Sequence, residues 1–176
     1  LDTLSVRSNA VDAAGRGQVA FADTTVRSDF DLVVAVADAR PLERLIGLQQ
    51  FRLTRGRAEL HVYGPPGTLR FNGTSTIRRL RSGDLRLSNL DLRFNGAGSL
   101  QTGIQQADLR GTLGLFSSPA VVAEDTEVTI GYTPDEIDVQ TRLRLDRRRR
   151  ATLSARLRPH LDASRLTLQS LSARLG

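Results

Sequence analysis

The sequence contains no cysteine, tryptophan, methionine or lysine, and aromatic residues make up only 5% of its 176 positions. Without cysteine the chain forms no disulfides, offers no thiolate nucleophile and has no cysteine ligands for zinc. All 25 basic residues are arginine, a bias that a GC-rich genome produces without selection on function. These absences exclude thiol chemistry and leave the compartment open.

Long apolar runs are also missing. No segment approaches the roughly 18 residues that a transmembrane helix needs, and no basic segment precedes an apolar one as in a signal peptide. The chain opens at Leu1 in the middle of an alternating pattern, and we find no linker or domain boundary. We therefore expect residues 1–176 to be a single segment of a longer protein, with any membrane anchor or export signal outside it.

Alternation of apolar and polar residues is present almost everywhere. In residues 30–36, for example, Phe30, Leu32, Val34 and Val36 are separated by single residues. Successive side chains of a strand point to opposite faces, so this spacing predicts strands with one apolar and one polar face. The pattern predicts an all-β protein, a meander of about a dozen or more strands.

Turn residues separate the predicted strands, and the short links favour antiparallel neighbours because parallel strands need long crossovers. A single exception is the segment "DARPLERLIGLQQ", whose apolar residues recur at helical spacing after Pro41 and predict one short helix near 41–48. The predicted turns are Gly15-Arg16-Gly17, Gly64-Pro65-Pro66-Gly67, Asn72-Gly73, Ser82-Gly83-Asp84, Asn95-Gly96, Gly96-Ala97-Gly98 and Thr133-Pro134-Asp135.

The alternation changes phase inside "SGDLRLSNLDLRFNG", residues 82–96. Leu85 and Leu87 are in one phase, whereas Leu90 and Leu92 are in the other. The change at Ser88-Asn89 is compatible with a tight turn or with a bulge inside one long strand.

Three architectures use such a pattern. A closed sandwich buries its apolar faces against each other. A transmembrane barrel turns them to lipid, but the scarcity of aromatic residues argues against its interfacial girdles. An elongated meander curled into an open U-shaped groove lines its concave face with them, and an apolar groove of that length implies an apolar ligand.

Residues 41–98 resemble the AsmA and TamB proteins of diderm bacteria, TamB-type domains in particular. The resemblance rests on the helix-like segment, Gly56 opening a strand, Gly73, and the Gly-x-Leu-x-Leu-x-x-Leu-x-Leu string from Gly83 to Leu92; residues 143–175 are similar in style. It implies a β-taco, a long groove with an apolar lining, that carries phospholipids between the inner and outer membranes.

By this resemblance we expect a non-catalytic periplasmic protein of lipid transport and outer-membrane biogenesis, anchored to the inner membrane through a segment not present here. Its partners would be phospholipid and, through parts outside this segment, an Omp85-type outer-membrane barrel. The alternative is a closed β-sandwich or β-solenoid, a structural or adhesion module without lipid. The expected groove-lining residues are Leu60, Val62, Leu69, Phe71, Leu85, Leu87, Leu90, Leu92, Phe94, Leu113, Leu115, Val128, Ile130, Leu143, Leu145, Leu153 and Leu157.

Positive charge is concentrated at the C-terminal end. Residues 1–139 contain 15 Arg and 17 acidic residues, whereas residues 140–176 contain 10 Arg and 2 acidic residues. The second segment has no aromatic residue for stacking on bases, so we expect no nucleic-acid partner.

An unbroken arginine run, Arg147, Arg148, Arg149 and Arg150, lies in this segment. It predicts either a contact for an anionic headgroup or a solvated turn whose charges discourage aggregation, and the second interpretation is favoured.

Catalytic and metal-binding patterns are weak. His61 and His160 are the only histidines, and no carboxylate cluster has the spacing of a known metal site. No Gly-x-Ser-x-Gly motif supports a serine nucleophile. We expect no enzyme activity, no metal and no cofactor.

Overall fold

A computed structural model describes residues 3–8, 10–20, 26–38, 51–145, 149–159 and 166–176. These residues form a single antiparallel sheet whose strands follow each other in sequence order. The strands are β1 (Thr3–Arg7), β2 (Val11–Gln18), β3 (Ser28–Asp38), β4 (Phe51–Gly64), β5 (Leu69–Ser82), β6 (Leu85–Ser99), β7 (Gly103–Ser117), β8 (Val122–Tyr132), β9 (Ile137–Arg144), β10 (Arg150–Pro159) and β11 (Leu166–Leu175).

The sheet is open. Strands β1 and β11 are its two edges and do not pair with each other. The chain exposes 12,793 Å², whereas a compact protein of 19.3 kDa would expose about 8,500 Å². The expectation of an all-β, unclosed antiparallel meander is confirmed, and the large surface is that of a single layer.

The connections confirm some predicted turns and correct others. Residues 64–67, 82–84 and 133–135 join consecutive strands, as predicted. In contrast, Asn72-Gly73 lies inside β5, Gly15-Arg16-Gly17 inside β2, and both Asn95-Gly96 and Gly96-Ala97-Gly98 inside β6. The turn prediction was wrong at these glycines because they have another role in the sheet.

At Gly73 and Gly96 that role is to lie against an aromatic ring. Gly73 pairs with Phe94, and Gly96 pairs with Phe71. A Cβ atom at either glycine would collide with the ring of its partner and with a backbone carbonyl of the next strand. The absence of a side chain therefore leaves room for each ring to pack against the backbone of the neighbouring strand.

The helix predicted near residues 41–48 lies outside the described residues. Within the described part of the chain, no helix has the length and apolar character needed to cross a membrane.

A line of unusual backbone crosses the middle of the sheet. Arg55 on β4, Asn89 on β6 and Asp125 on β8 have φ values of 53°, 54° and 44°, in the left-handed region that L-residues seldom occupy. The strand registers place Arg78 of β5 and Gly114 of β7 between them in the same transverse row. We call this row of five residues the crease.

The crease explains the phase change in the sequence. Ser88 pairs with Arg79 and Leu90 with Ile77, so the ladder continues through Asn89 without an inserted residue. The segment is one long strand, and the tight turn is excluded. Because the alternation changes phase at the same row in each of these strands, the apolar residues on both sides of the crease stay on one face of the sheet.

We expect Asn89→Gly to raise the free energy of unfolding by about 0.5 to 1 kcal/mol, because glycine adopts a left-handed conformation without steric cost. Urea denaturation followed by circular dichroism measures the change. Ser88→Gly is the matched control, since Ser88 has no positive φ; it should lose about 0.5 to 1 kcal/mol. Destabilisation by both variants would contradict the strain assigned to the crease.

Candidate functional site

The most extensive candidate site is one face of the sheet. Paired residues on neighbouring antiparallel strands share a face, so the registers assign every paired side chain to one side. Thus Leu60 pairs with Gly73, Gly73 pairs with Phe94, and Phe94 pairs with Leu109. We call the side that holds these residues the apolar face, and the opposite side the polar face.

Nearly all the groove-lining residues predicted from the sequence lie on the apolar face. They come from seven consecutive strands, β4 to β10, and from Leu145 directly after β9, so distant parts of the chain contribute to one continuous surface. The residues placed there are Leu60, Val62, Leu69, Phe71, Leu85, Leu87, Leu90, Leu92, Phe94, Leu113, Val128, Ile130, Leu143, Leu145, Leu153 and Leu157.

Leu115 is the exception. It pairs with Ser88, whereas Leu113 pairs with Leu90, so the crease at Gly114 separates two leucines that simple alternation places together. Leu115 therefore lies on the polar face. The error arose because the sequence of β7 carries no sign of the phase change that is visible in β6.

Burial along the apolar face is graded. Ala123 and Leu113 are 0% and 3% exposed, although the described chain has a single layer. Ala123, Leu143 and Ala151 form a small buried cluster against which Phe116 and Leu145 pack. At the edge strand β11, Leu175 is 81% exposed. The deepest part of the apolar face is thus near the crease on β7 and β8.

Nothing in the described chain covers the apolar face. Each strand contacts chiefly its immediate neighbours, and the described residues build only one sheet. The leucines along β6 are half-buried, while Arg86, Asp91 and Arg93 between them are exposed. The face is therefore an apolar surface whose side chains pack against each other but not against a second layer.

The polar face carries a histidine cluster that the sequence pattern did not reveal. The Nδ1 atom of His61 lies 2.7 Å from an oxygen of Asp31, and its Nε2 atom lies 3.8 Å from an oxygen of Asp29. The His61 ring stacks on Tyr63, with centroids 5.2 Å apart. Only the register of β3 against β4 brings these residues together, so the cluster supports that pairing.

The predicted arginine contact is only partly described. Arg147 and Arg148 lie outside the described residues, and Arg149 and Arg150 stand at the start of β10. Their backbones form hydrogen bonds with the neighbouring chain segments. The carbonyl of Arg149 accepts a hydrogen bond from the Leu145 amide at 3.1 Å, and the backbone of Arg150 exchanges two hydrogen bonds with that of Gly176. The anion-binding role of this run stays a prediction.

Other arginines of the C-terminal segment are paired with acids. Arg142 contacts Glu127 at 3.4 Å, and Arg156 contacts Asp138 at 3.1 Å and Glu136 at 3.3 Å. The hydrogen bond that Arg156 donates to Asp138, together with the charges of Asp138 and Glu136, raises the pKa of the Arg156 guanidinium. The charge excess read from the sequence is therefore partly neutralised by acids from β8 and β9.

In the part of the chain that the structure describes, no group of three or more His, Asp or Glu residues is arranged to hold a metal ion. The carboxylates of Glu136 and Asp138 both form ion pairs with Arg156.

A second group that the sequence pattern missed is a transverse row of arginines on the polar face. Arg52 pairs with Arg81, and Arg81 pairs with Arg86. Arg81 and Arg86 lie on either side of one hairpin turn, whereas Arg52 is distant in sequence, so only the strand registers reveal that the three residues are adjacent.

The chain matches no family model, no curated protein and no solved structure.

Proposed function

We propose that this chain is a non-catalytic segment that binds the acyl chains of phospholipids along its apolar face. The observation that carries the proposal is a continuous apolar surface that crosses the crease on an open sheet with no covering layer among the described residues. Proteins in water seldom leave more than a few hundred Å² of contiguous apolar surface uncovered. An apolar ligand supplies the missing cover.

The shape of the sheet suits an extended ligand. Eleven strands at a spacing of about 4.8 Å span about 48 Å across the sheet. The crease offers each central strand a point at which to bend around the apolar face, and the rings of Phe71 and Phe94 add apolar area to the lining. An acyl chain running along the crease would contact the same kind of surface on every strand.

The energetics favour binding without chemistry. An acyl chain gains about 0.8 kcal/mol for each CH₂ group removed from water. Leucine, valine and isoleucine carry no polar side-chain atoms that need partners. A uniform lining has no single tight site, so a bound lipid could move along it, which suits transport.

The cellular setting is part of the same proposal. The resemblance to AsmA and TamB proteins suggests a place in the periplasm, in a longer protein of phospholipid transport and outer-membrane biogenesis. Anchorage to the inner membrane, and contact with an Omp85-type barrel, would involve parts outside this segment. The alternative is a closed β-sandwich or β-solenoid, a structural or adhesion module without lipid; the open single sheet of the described residues favours the groove.

Native mass spectrometry of the purified chain, with solvent extraction of whatever it carries, tests the proposal. We expect bound phospholipid, and displacement of that lipid by added fluorescent phospholipid. An apo mass with no uptake of the fluorescent lipid would refute acyl-chain binding. That result would instead favour a structural module whose apolar face meets another protein surface.

A further inference from the structure

We propose that the polar face carries a separate binding site for phosphate groups, formed by Arg52, Arg79, Arg81 and Arg86. We call these four residues the arginine ladder. This inference is independent of the proposed acyl groove, because the site lies on the opposite face and its ligand is an anion.

The first argument is the strand register. Arg52, Arg81 and Arg86 stand directly opposite one another on β4, β5 and β6. Arg79 lies two residues before Arg81 and so shares its face. Opposed residues in an antiparallel pair have Cβ atoms about 5 Å apart, and like charges in that position repel. Such an arrangement is destabilising by itself, and an anion between the guanidinium groups would relieve the repulsion.

The second argument is the lack of internal partners. Among the described residues, none of the four arginines forms an ion pair or hydrogen bond with a carboxylate. Another opposed pair on the same face, Arg93 and Arg110, has acids beside it, because Asp91 and Glu127 line the same cavity. The arginine ladder differs in having four guanidinium groups and no such acid in its cavity.

The third argument is the space available. The four arginines line a cavity of 670 Å³ together with Thr54 and Ser88, and Leu115 borders it. The hydroxyls of Thr54 and Ser88 add neutral donors beside the guanidinium groups. A phosphate offers several oxygens and accepts paired hydrogen bonds from the planar guanidinium fork, so several arginines can share one group.

The location suggests two sources for the phosphate. Arg81 and Arg86 flank the β5–β6 hairpin turn at one rim of the sheet. A phospholipid headgroup at a membrane surface and a free phosphate compound share the chemistry that the arginine ladder recognises. The test therefore has one arm for each source.

The first arm tests binding of a free phosphate compound. The Tm of the whole chain is measured by thermal unfolding with inorganic pyrophosphate and compared with the Tm in sodium chloride at equal ionic strength. We expect pyrophosphate to raise Tm. Arg81→Gln should weaken the apparent affinity by about tenfold or more, since charge-assisted hydrogen bonds are lost. Without pyrophosphate, Arg81→Gln should have a Tm equal to or above that of the parent chain, because like-charge repulsion is relieved.

The matched control is Arg57→Gln. It removes one positive charge from the polar face, as Arg81→Gln does. Arg57 lies on β4 outside the arginine ladder and already pairs with Glu59 at 2.9 Å. Its response to pyrophosphate should equal that of the parent chain. An equal loss of response in both variants would overturn the site, because it would indicate attraction by net charge alone.

Flotation with phosphatidylcholine vesicles, with and without phosphatidylglycerol, is the second arm. Binding that requires phosphatidylglycerol and is lost in Arg81→Gln assigns the arginine ladder to lipid headgroups. A response to pyrophosphate without vesicle binding assigns it to a free phosphate compound. No response in either arm would refute the inference, and it would leave acyl-chain uptake on the apolar face, measured separately with fluorescent phospholipid, unaffected.

Discussion

Replacing Leu92 by Asp is expected to weaken phospholipid binding by at least about tenfold, because a charge in the apolar surface removes several CH₂ contacts worth about 0.8 kcal/mol each. Leu92 pairs with Ser75 and Gly111 near the middle of the apolar face and is only half-buried. Its carboxylate can therefore reach water, and the sheet should remain folded. Fluorescent phospholipid uptake measures the binding, and circular dichroism checks the fold.

Thr129→Asp is the matched control for this substitution. It makes the same charge change at an exposed position of β8, on the polar face and opposite Arg110. We expect its lipid binding to equal that of the parent chain. If Leu92→Asp unfolded the chain instead, the residue would be enclosed as in a sandwich, where an unpaired buried charge costs about 3 to 5 kcal/mol.

Replacing Leu113 by Ala is expected to lower the free energy of unfolding by about 2 to 4 kcal/mol, the cost of removing a buried leucine side chain. Leu113 is 3% exposed and lies beside the crease, opposite Leu90 and Thr126. Urea denaturation gives the change directly. The expected effect is large because the sheet has few deeply buried side chains, so each of them contributes a large part of the stability.

Ile104→Ala on the same strand is the control for Leu113→Ala. Ile104 is 51% exposed, so its truncation should change the stability by no more than about 0.5 kcal/mol. Equal effects at the two positions would contradict the assignment of the deepest packing to the centre of the apolar face.

The local pattern of the sequence was sufficient to predict the strands and most of the residues on the apolar face. Strict alternation in segments such as Phe30 to Val36 depends only on the pleat of a strand, and therefore predicts strand and face without knowledge of partners. The phase change at Asn89 was visible for the same reason. Its cause, a crease shared by five strands, was not visible, because alternation within one strand does not show which residues of the neighbouring strands lie in the same row.

Information about neighbouring strands is what the sequence lacked. Asn72-Gly73 has turn chemistry, and only the pairing of Gly73 with Phe94 explains why the glycine lies inside a strand. The pairing of Arg156 with Asp138, and the opposition of Arg52 and Arg81, likewise depend on register. The sequence shows only which charged residues are neighbours along the chain, whereas in the sheet the neighbours of a charged residue lie on adjacent strands.

The proposed function depends on one claim, that lipid contacts the apolar face on both sides of the crease. Site-specific photo-crosslinking tests it most directly, with a benzophenone amino acid placed in turn at each position of β6 from 85 to 94 and the chain loaded with phospholipid. We predict lipid adducts at Leu85, Leu87, Leu90, Leu92 and Phe94, and none at Arg86, Ser88, Asp91 and Arg93. An adduct pattern that keeps a constant period of two through Asn89, or that is uniform along the strand, would contradict the account.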